Sequence, residues 1–502
     1  MRYGPYNHFT GSRMKRGEMY DVVIIGAGVI GCGIARELSR YDLSILILEK
    51  EGDVADGTTK ANSAIVHAGF DAYHKTVNGQ MNARGNPMYD RLAAELSFPF
   101  QRIGSLVLAF SEEELASLRE LIDNANVLKI PGVEMLAPET VHAKHANLSQ
   151  EIRGALWAPT GGICGPWEFA IALAENAVEN GAELALNTQV TGIQKTDAGF
   201  RLSTAAGGSI ESRVVVNAAG VYADTIHNMV AEPFFEIHPK RGQYFLLDKA
   251  AGDIVDTVIF QAPTKAGKGV LVSPTVHGNI IVGPDAEYVE DREDLRTTGP
   301  QLDYVRQAAR QSVPNIPFGM NITTFAGLRA ESSTRDFIIG PADDVPNFIN
   351  AAGMKSPGLS AAPAVAEEVV KHVGVALGGE LKERKDFNPH RRPAAHFAEA
   401  SPEKQAELIA TDPRFARIVC RCEYVTEAEV VDVIHRKVGA RSVDGVKRRA
   451  RPGGGRCQGG FCSPRVMEIL ARELGTDMGD VLKDGPGSYI LTGRTKAVEG
   501  GM

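Results

Sequence analysis

The hydrophobic pattern at the start of the chain predicts a strand, a glycine turn, a helix and a second strand. Residues 20–25 (YDVVII) form a short apolar, β-branched run, which is typical of a strand buried on both faces. The turn GAGVIG follows directly, and a helical pattern continues through Leu38. A second apolar run at 44–50 (SILILEK) predicts the next buried strand.

Later segments alternate between helical and strand patterns. A strand is expected at 104–110 and another at 214–217, and several strands of a mainly antiparallel sheet are expected between about 235 and 290. Helical periodicity predicts helices over 84–96, 112–124 and 166–180, and a loop followed by a helix over 350–373. The chain is therefore expected to combine an α/β part with an α+β part.

The first turn carries a dinucleotide-binding pattern. Gly26, Gly28 and Gly31 fit G-x-G-x-x-G between a strand and a helix, so backbone N–H groups and the helix N-terminus can approach a pyrophosphate. Glu49 ends the second strand, 23 residues after Gly26. A carboxylate there accepts hydrogen bonds from ribose hydroxyls. Strand, helix and acid in register favour a bound dinucleotide over a ligand-free turn, but leave NAD and FAD both open.

Two further strand ends favour FAD. Small residues follow the strand at 214–217 (Asn-Ala-Ala-Gly, ending at Gly220), and 348–369 reads as a third strand, glycine turn and helix. The N-terminus of that last helix could face the flavin C2=O and stabilise the reduced ring. Three glycine-marked strand ends spread along the chain suit a ligand as long as FAD.

Composition narrows the class of protein. The 502 residues carry a net charge of −8 and are 43% apolar, as in ordinary globular proteins. Acidity disfavours general nucleic-acid binding, and no apolar run approaches the ~20 residues that span a bilayer. The first 18 residues lack the apolar core of a secretory signal, so we expect a disordered tail in a cytoplasmic protein whose close cysteine pairs bind metal or act in catalysis. Peripheral association with the inner face of the cell membrane is left open.

Four of the six cysteines form two close pairs near the C-terminus. Cys420 and Cys422 are spaced C-x-C, and Cys457 and Cys462 follow after 34 residues as C-x4-C. Four thiolates can hold a [2Fe–2S] cluster. Structural zinc usually uses C-x2–4-C pairs, so the first spacing disfavours zinc without excluding it. The basic run at 447–451 is interpreted as compensation for the cluster's negative charge.

These motifs resemble the D-amino-acid-oxidase-like superfamily of FAD oxidoreductases, and within it the FAD subunits of anaerobic glycerol-3-phosphate dehydrogenases. The resemblance covers about residues 19–475, and L-2-hydroxyglutarate dehydrogenases are the second relatives. Its motifs are GAGVIG, GTTKANSAIVHAGF (57–70), AGLRA (326–330), the turn at 353–355 and CQGGFC (457–462). The cysteine module is similar to bacterioferritin-associated-ferredoxin-like [2Fe–2S] domains.

The resemblance implies roles by position. His67 lies in the loop beside the isoalloxazine and could take a hydroxyl proton, while Arg329 and Lys355 match groups that hold the substrate anion. His277 is expected to be structural, and Lys240 and Arg241 to be solvated charges. The loop around His67 looks more like the hydroxyglutarate group, which leaves the substrate open. Cofactor-binding positions implied by the resemblance, beyond the first turn and Glu49, are Thr58, Ser63, Val190, Ala219, Gly220, Gly353 and Gly358.

The resemblance also implies a domain plan. It has a Rossmann-like FAD-binding domain of the glutathione-reductase type (about 19–80, 160–225 and 325–375), an interleaved antiparallel-sheet substrate domain (about 81–159 and 226–324), a linker (386–415), a small helical [2Fe–2S] domain (416–480) and a tail (481–502).

The implied reaction oxidises the secondary alcohol of a small anionic substrate, glycerol 3-phosphate first among them, and passes electrons through the cluster to a protein or quinone acceptor. The implied partners are a second flavoprotein subunit and a small iron–sulfur protein. Three rivals stay open: a 2-hydroxyacid or amino-acid dehydrogenase, a non-catalytic flavin and iron–sulfur electron-transfer subunit, and a zinc-bound docking module at the C-terminus.

Overall fold

The apolar runs of the sequence become strands of two nine-stranded sheets. The computed structural model describes residues 9–10, 19–263 and 269–493, and these divide into a first unit (up to Lys50, and Val54–Arg391) and a second unit (Glu51–Asp53, and from Arg392). The strands are β1 Phe9–Thr10, β2 Tyr20–Ile25, β3 Ile45–Leu48, β4 Ile65–Val66, β5 Phe100–Arg102, β6 Ser105–Ala109, β7 Glu134–Leu136, β8 Gly154–Ala158, β9 Gly162–Cys164, β10 Glu183–Ala185, β11 Val190–Thr196, β12 Gly199–Thr204, β13 Ser209–Asn217, β14 Ile237–Leu247, β15 Val258–Gln261, β16 Leu271–Pro274, β17 Ile280–Gly283, β18 Glu287–Tyr288, β19 Asn321–Ser332, β20 Ile338–Ala342, β21 Val345–Ala352, β22 Ile418–Cys420 and β23 Val425–Thr426.

Helices connect and cover these strands. They are α1 Val29–Leu38, α2 Val77–Gly85, α3 Met88–Leu96, α4 Glu112–Val127, α5 Pro138–Lys144, α6 Pro166–Glu179, α7 Ala223–His227, α8 Gly299–Ser312, α9 Gly358–Ala376, α10 Pro402–Thr411, α11 Glu427–His435, α12 Val443–Ala450 and α13 Ser463–Leu474. The sequence predicted a single helix over 84–96. It is two helices, because Pro87 lacks an N–H and cannot continue α2, while the buried Asn86 side chain donates to the carbonyls of His67 and Thr160.

The first sheet has a parallel centre. Strands β10, β3, β2, β13 and β21 run parallel, with β1, β12, β11 and β20 added antiparallel at the periphery. Helix α1 packs against both α6 and α9. This arrangement brings the carboxyl ends of β2, β13 and β21 together, which is where ligands bind in open α/β sheets.

The second sheet is almost entirely antiparallel. Its order is β18-β14-β17-β16-β15-β6-β8-β7, with β19 on the other side of β14, and only β15 and β6 run parallel. Strand β19 pairs with β14 from Ser332 opposite Ile237 to Asn321 opposite Leu247. Residues 325–332 therefore lie in this sheet, although the sequence placed them in the FAD-binding part. The expected mixture of α/β and α+β parts is confirmed.

The second unit has a core of its own. Val430, Ile434, Val446, Ile469 and Leu470 pack together with a short β22–β23 pair alongside. The segment interpreted as a linker (386–415) contains α10, which starts with Pro402 in its first turn and is capped by the Ser401 hydroxyl, 3.3 Å from the Lys404 nitrogen.

Both predicted tails have structure in part. Of residues 1–18, expected to be disordered, β1 pairs antiparallel with β10, and the rest lie outside the described residues. Of the C-terminal tail (481–502), Val481 is 1% exposed in the core of the second unit, and the Leu482 carbonyl accepts from the Val443 nitrogen at 3.0 Å. Residues 494–502 lie outside the described part.

Candidate cofactor and substrate sites

The turn after β2 is closed to any side chain at two of its glycines. Gly26 has φ +106°, and a Cβ there would lie 2.4 Å from the Ala218 carbonyl oxygen. A Cβ at Gly31 would lie 1.9 Å from the Gly26 carbonyl oxygen. At Gly28 the nearest atom is the Thr59 hydroxyl oxygen, at 3.3 Å. A backbone cradle at a helix N-terminus, kept free of side chains in this way, fits the pyrophosphate of a dinucleotide.

Two polar side chains hold this turn. Glu49 accepts a hydrogen bond from the Ala27 nitrogen at 2.8 Å, and Thr59 accepts one from the Val29 nitrogen at 3.0 Å. Thr59 was missed by the sequence analysis, which named its neighbour. The Thr58 hydroxyl instead donates to the Leu328 carbonyl at 2.6 Å and so ties this loop to β19. Val190 is buried at the start of β11, whose approach is fixed by a hydrogen bond from the Thr188 nitrogen to the Glu49 carbonyl.

Buried amides join the ends of β13 and β21. The Asn217 side chain donates to the Asn350 side-chain oxygen Oδ1 at 3.0 Å, and the Asn350 side-chain nitrogen donates to His227 Nδ1 at 3.1 Å. The Asn217 side chain also accepts from the Ala219 nitrogen at 3.4 Å, in the turn where Gly220 has φ +58°. No sequence motif signalled this network, because its members come from three distant segments.

The turn after β21 leads into a long helix. Gly353 has φ +72°, and a Cβ there would lie 2.9 Å from the Asp336 carbonyl oxygen. Gly358 opens α9, and its nitrogen donates to the Lys355 carbonyl at 2.6 Å. Together with α1, this gives two helix N-termini at the carboxyl edge of the parallel strands. Their glycine turns and positive ends fit the two halves of FAD.

His67 lies beside this turn in a polar setting. Its Nδ1 is 3.3 Å from an Asp71 carboxylate oxygen, and its Nε2 is 3.4 Å from the Ser356 hydroxyl. Its ring stacks on Phe260 with centroids 5.5 Å apart. An imidazole held at Nδ1 by a carboxylate can exchange a proton at Nε2. Nearby in the chain, Ser63 shares a 3.1 Å hydroxyl contact with Tyr244, a residue that the sequence analysis did not name.

A cationic group lies on β14, β19 and the same turn. Arg329 donates to the Asp285 carbonyl at 3.3 Å, and a Cβ at Gly242 would lie 2.5 Å from its guanidinium. Lys355 binds Glu331 at 2.8 Å, and Lys240 lies 3.6 Å from the same carboxylate. Burial alone would raise the pKa of Glu331, but Lys355 and then Lys240 hold it below its usual range. The structure thus brings Lys355 and Lys240 to one carboxylate, Glu331, on the strand that also carries Arg329 opposite Lys240.

Two other predicted charges have structural partners. Arg241 was interpreted as a solvated charge, which is wrong: it is 4% exposed and pairs with Glu287 at 2.6 Å and Asp294 at 2.7 Å. These pairings could not be predicted from the sequence, because both carboxylates lie more than 40 residues from Arg241 along the chain. His277 was expected to be structural, and its Nε2 lies 2.7 Å from Glu168.

The four C-terminal thiols come together as two pairs. The Cys422 and Cys457 sulfurs are 3.5 Å apart, and Cys420 contacts Cys462 through a hydrogen bond. That bond lowers the pKa of Cys420 to about 6 against the effect of burial, and the Gly453 nitrogen adds to the lowering. The Phe461 nitrogen lowers the pKa of Cys457. Two dithiol pairs with N–H groups directed at sulfur fit a two-iron cluster, in which cysteine thiolates carry the irons.

The basic run near these thiols is bound to carboxylates. Arg449 lies 2.6 Å from Asp53, and Arg448 lies 3.0 Å from the same carboxylate. Burial would raise the pKa of Asp53, but Arg449 and then Arg448 lower it to about 2. Arg451 pairs with Glu423 at 2.9 Å. The interpretation that this run compensates the cluster is therefore wrong for these three arginines, whose partners are internal.

Two features are absent from the described residues. Within 9–10, 19–263 and 269–493, no three His, Cys, Asp or Glu side chains are grouped to hold one metal ion. In the same part of the chain, every helix is too short or too polar to cross a bilayer.

Comparisons with known proteins agree with this geometry. Residues 21–372 match the family model described as DAO, FAD dependent oxidoreductase, and residues 418–472 match the BFD-like [2Fe-2S] binding domain. The chain is 54% identical over 479 residues to a glycerol 3-phosphate dehydrogenase of Caloramator mitchellensis, covering 95% of this chain and 99% of that protein.

Two further relatives extend the comparison. The solved structure of an FAD-bound L-alpha-glycerophosphate oxidase from Mycoplasma pneumoniae superposes with a TM-score of 0.71 at 32% identity, covering 74% of this chain and 98% of that one. An anaerobic glycerol-3-phosphate dehydrogenase subunit A1 of Haloferax volcanii is 26% identical over 507 residues, covering 90% of this chain and 83% of that protein.

Proposed function

The chain belongs to the DAO family of FAD-dependent oxidoreductases and carries a BFD-like [2Fe–2S]-binding domain, and on that basis we propose that it oxidises glycerol 3-phosphate to dihydroxyacetone phosphate and passes the electrons to a protein or quinone acceptor. The supporting observation is one group of side chains. Lys355 and Lys240 share Glu331, Arg329 lies two residues along the same strand, and Ser356 connects this group to His67.

In this proposal, the side chains divide between binding the substrate and moving its proton. Arg329 and Lys355 bind the substrate phosphate, because a guanidinium gives two parallel hydrogen bonds and an ammonium adds charge. Asp71 holds His67 by Nδ1, so that Nε2 accepts the hydroxyl proton of the substrate. When bound, FAD supplies the hydride acceptor and the cluster a one-electron carrier, with the glycine turns and helices α1 and α9 holding the first and the four cysteines the second.

Partners and location are part of the same proposal. A relative named as a subunit supports an assembly, and we propose a second flavoprotein and a small iron–sulfur protein as its other members. None of the six cysteines, all of which lie within the described residues, forms a disulfide bond, and we propose that the chain works in a reducing cytoplasm.

Anaerobic reduction of the purified holoprotein tests the substrate. Glycerol 3-phosphate should bleach the flavin absorbance and yield dihydroxyacetone phosphate, while L-2-hydroxyglutarate and amino acids should not. Bleaching by one of those instead would assign the rival dehydrogenase.

A variant separates catalysis from mere electron transfer. Arg329→Ala should raise KM at least about tenfold, since one or two charge-assisted hydrogen bonds of ~1.5–3 kcal/mol each are lost. The matched control is Arg201→Ala, at a half-exposed ion pair on β12, which should leave turnover unchanged. Equal turnover in both variants at glycerol 3-phosphate concentrations near the wild-type KM would favour a non-catalytic electron-transfer subunit.

A further inference from the structure

Two aromatic side chains near the thiols of the second unit project into solvent. Phe461, the neighbour of Cys462, is 77% exposed, and Tyr424, two residues after Cys422, is 64% exposed. Large aromatic rings in a folded domain are ordinarily buried, and exposed ones are enriched where another protein binds. Two of them beside a redox centre therefore need an explanation other than packing.

The exposed charges of the same loops are all positive. In the segments 417–424 and 453–461, the exposed charged residues are Arg417, Arg421 and Arg456. The acid there is Glu423, whose side chain is 4% exposed and paired with Arg451. Residues 416–480 contain twelve Lys and Arg against nine Asp and Glu, a net charge of +3, whereas the whole chain carries −8.

The two loops that carry the cysteines are held in a defined conformation. Tyr424 has φ +53° and Gln458 has φ +48°, a left-handed conformation that is uncommon for residues with a side chain. A Cβ at Gly455 would lie 2.6 Å from the Cys422 Cβ, so the two cysteine loops are in close contact. Cys422 and Cys457 are partly exposed, whereas Cys420 and Cys462 are buried, so the more accessible thiol pair lies among these residues.

We propose that Arg421, Tyr424, Arg456 and Phe461 form a docking face, here called the cysteine-loop face, for an electron-accepting protein whose own surface is acidic. The inference rests on the proposed function, in which electrons leave the chain through the second unit. Complementary charge raises the rate of encounter, and a small aromatic centre suits the brief contacts of electron-transfer pairs. An acidic protein is favoured because every exposed charge of the two loops is an arginine.

The test uses the full-length holoprotein reduced by glycerol 3-phosphate. Oxidised plastocyanin, an acidic copper protein, and cytochrome c, a basic haem protein, serve as one-electron probes, and a small dye serves as an acceptor that needs no docking. Plastocyanin should be reduced faster than cytochrome c at low salt, and its advantage should fall as salt rises. Dye reduction by itself reports the proposed function, so loss of dye reduction would count against that function and not against the face.

Variants locate the effect. Arg421→Glu and Phe461→Ser should each slow plastocyanin reduction at least about tenfold while dye reduction and the cluster absorbance stay unchanged. Two control variants make similar changes elsewhere in the second unit. Lys437→Glu makes the same charge change at an exposed position just after the end of α11, and Tyr489→Ser removes an exposed aromatic ring. Both controls should reduce plastocyanin at the wild-type rate.

Three results would overturn the proposal. The first is equal plastocyanin rates in all four variants. The second is slower reduction of the cluster itself in Arg421→Glu, which would assign the face to the chain's own flavin unit. The third is a loss of binding to phosphatidylglycerol vesicles in Arg421→Glu and Phe461→Ser without any change in plastocyanin reduction. That result would assign the cysteine-loop face to a membrane.

Discussion

The glycines of the first turn allow a graded test of the FAD site. Alanine at Gly31 would place a Cβ 1.9 Å from the Gly26 carbonyl oxygen, whereas real contacts of this kind stay above about 3.0 Å, so the backbone must move by about 1.1 Å. Alanine at Gly33, two residues along the same helix, would have its nearest neighbour, the Ala366 Cβ, at 3.6 Å, an ordinary van der Waals distance. Alanine at Gly28 is intermediate, at 3.3 Å from the Thr59 hydroxyl.

The size of the effect follows from the hydrogen bonds at stake. A shift of this size at the N-terminus of α1 should cost about two charge-assisted bonds from backbone N–H to phosphate, ~1.5–3 kcal/mol each, which corresponds to roughly 10²–10⁴-fold weaker FAD binding. Gly33→Ala should bind FAD normally and gain up to ~1 kcal/mol of stability from helix propensity.

Titration of deflavinated protein with FAD, followed by quenching of flavin fluorescence, measures all three variants. The affinity order should be Gly33→Ala, then Gly28→Ala, then Gly31→Ala. Circular dichroism of the apoproteins identifies any variant that fails to fold, and in that case Gly28→Ala alone still has to bind more weakly than Gly33→Ala. Normal FAD affinity in a folded Gly31→Ala protein would refute the reasoning.

The second unit offers three further tests, of its buried ion pairs, its thiols and a helix cap. Asp53→Asn removes the carboxylate that pairs with the buried Arg449 and, alongside Asp484, with Arg448, and should lower the free energy of unfolding of the second unit by about 3–5 kcal/mol, as measured by hydrogen exchange of α12. Asp42→Asn, at an exposed ion pair of the first unit, should leave the exchange of α12 unchanged. Because the pKa of Asp53 is lowered from 3.8 to about 2, its stabilisation is complete above about pH 4 and is lost as the pH falls towards 2; persistence of wild-type protection at pH 2 would contradict this. Cys457→Ser should remove the cluster's absorbance and iron but leave FAD bound, whereas Cys164→Ser should leave both; iron analysis decides. Thr426→Ala removes the capping box of α11 and should cost ~1 kcal/mol, seen as faster exchange of its first turn, and unchanged exchange would show that the cap contributes nothing.

Local sequence patterns were sufficient to predict the strands and helices that depend only on residues near in sequence. The opening strand, glycine turn and helix lie where the apolar run and the glycines predict them, because each depends on residues within one turn or strand. Helix α6 likewise begins at Pro166 and ends before Gly181 as expected.

Features formed by distant residues could not be predicted. Arg241 is buried because Glu287 and Asp294 reach it from other segments. Thr59, not Thr58, binds the first nitrogen of α1, and nothing in two adjacent threonines distinguishes them until the loop's direction is known. Strand β19 joined the antiparallel sheet through pairing with β14, a choice that periodicity does not encode.

The strand ends that we propose to hold the flavin lie at residues 25, 217 and 352, so the cradle spans most of the first unit in sequence. A ribosome must therefore release nearly all of that unit before the pocket can assemble. Flavin binding then reports that the first unit has folded completely. Chains stopped short of β21 should emerge without yellow colour, however well their opening segment has formed.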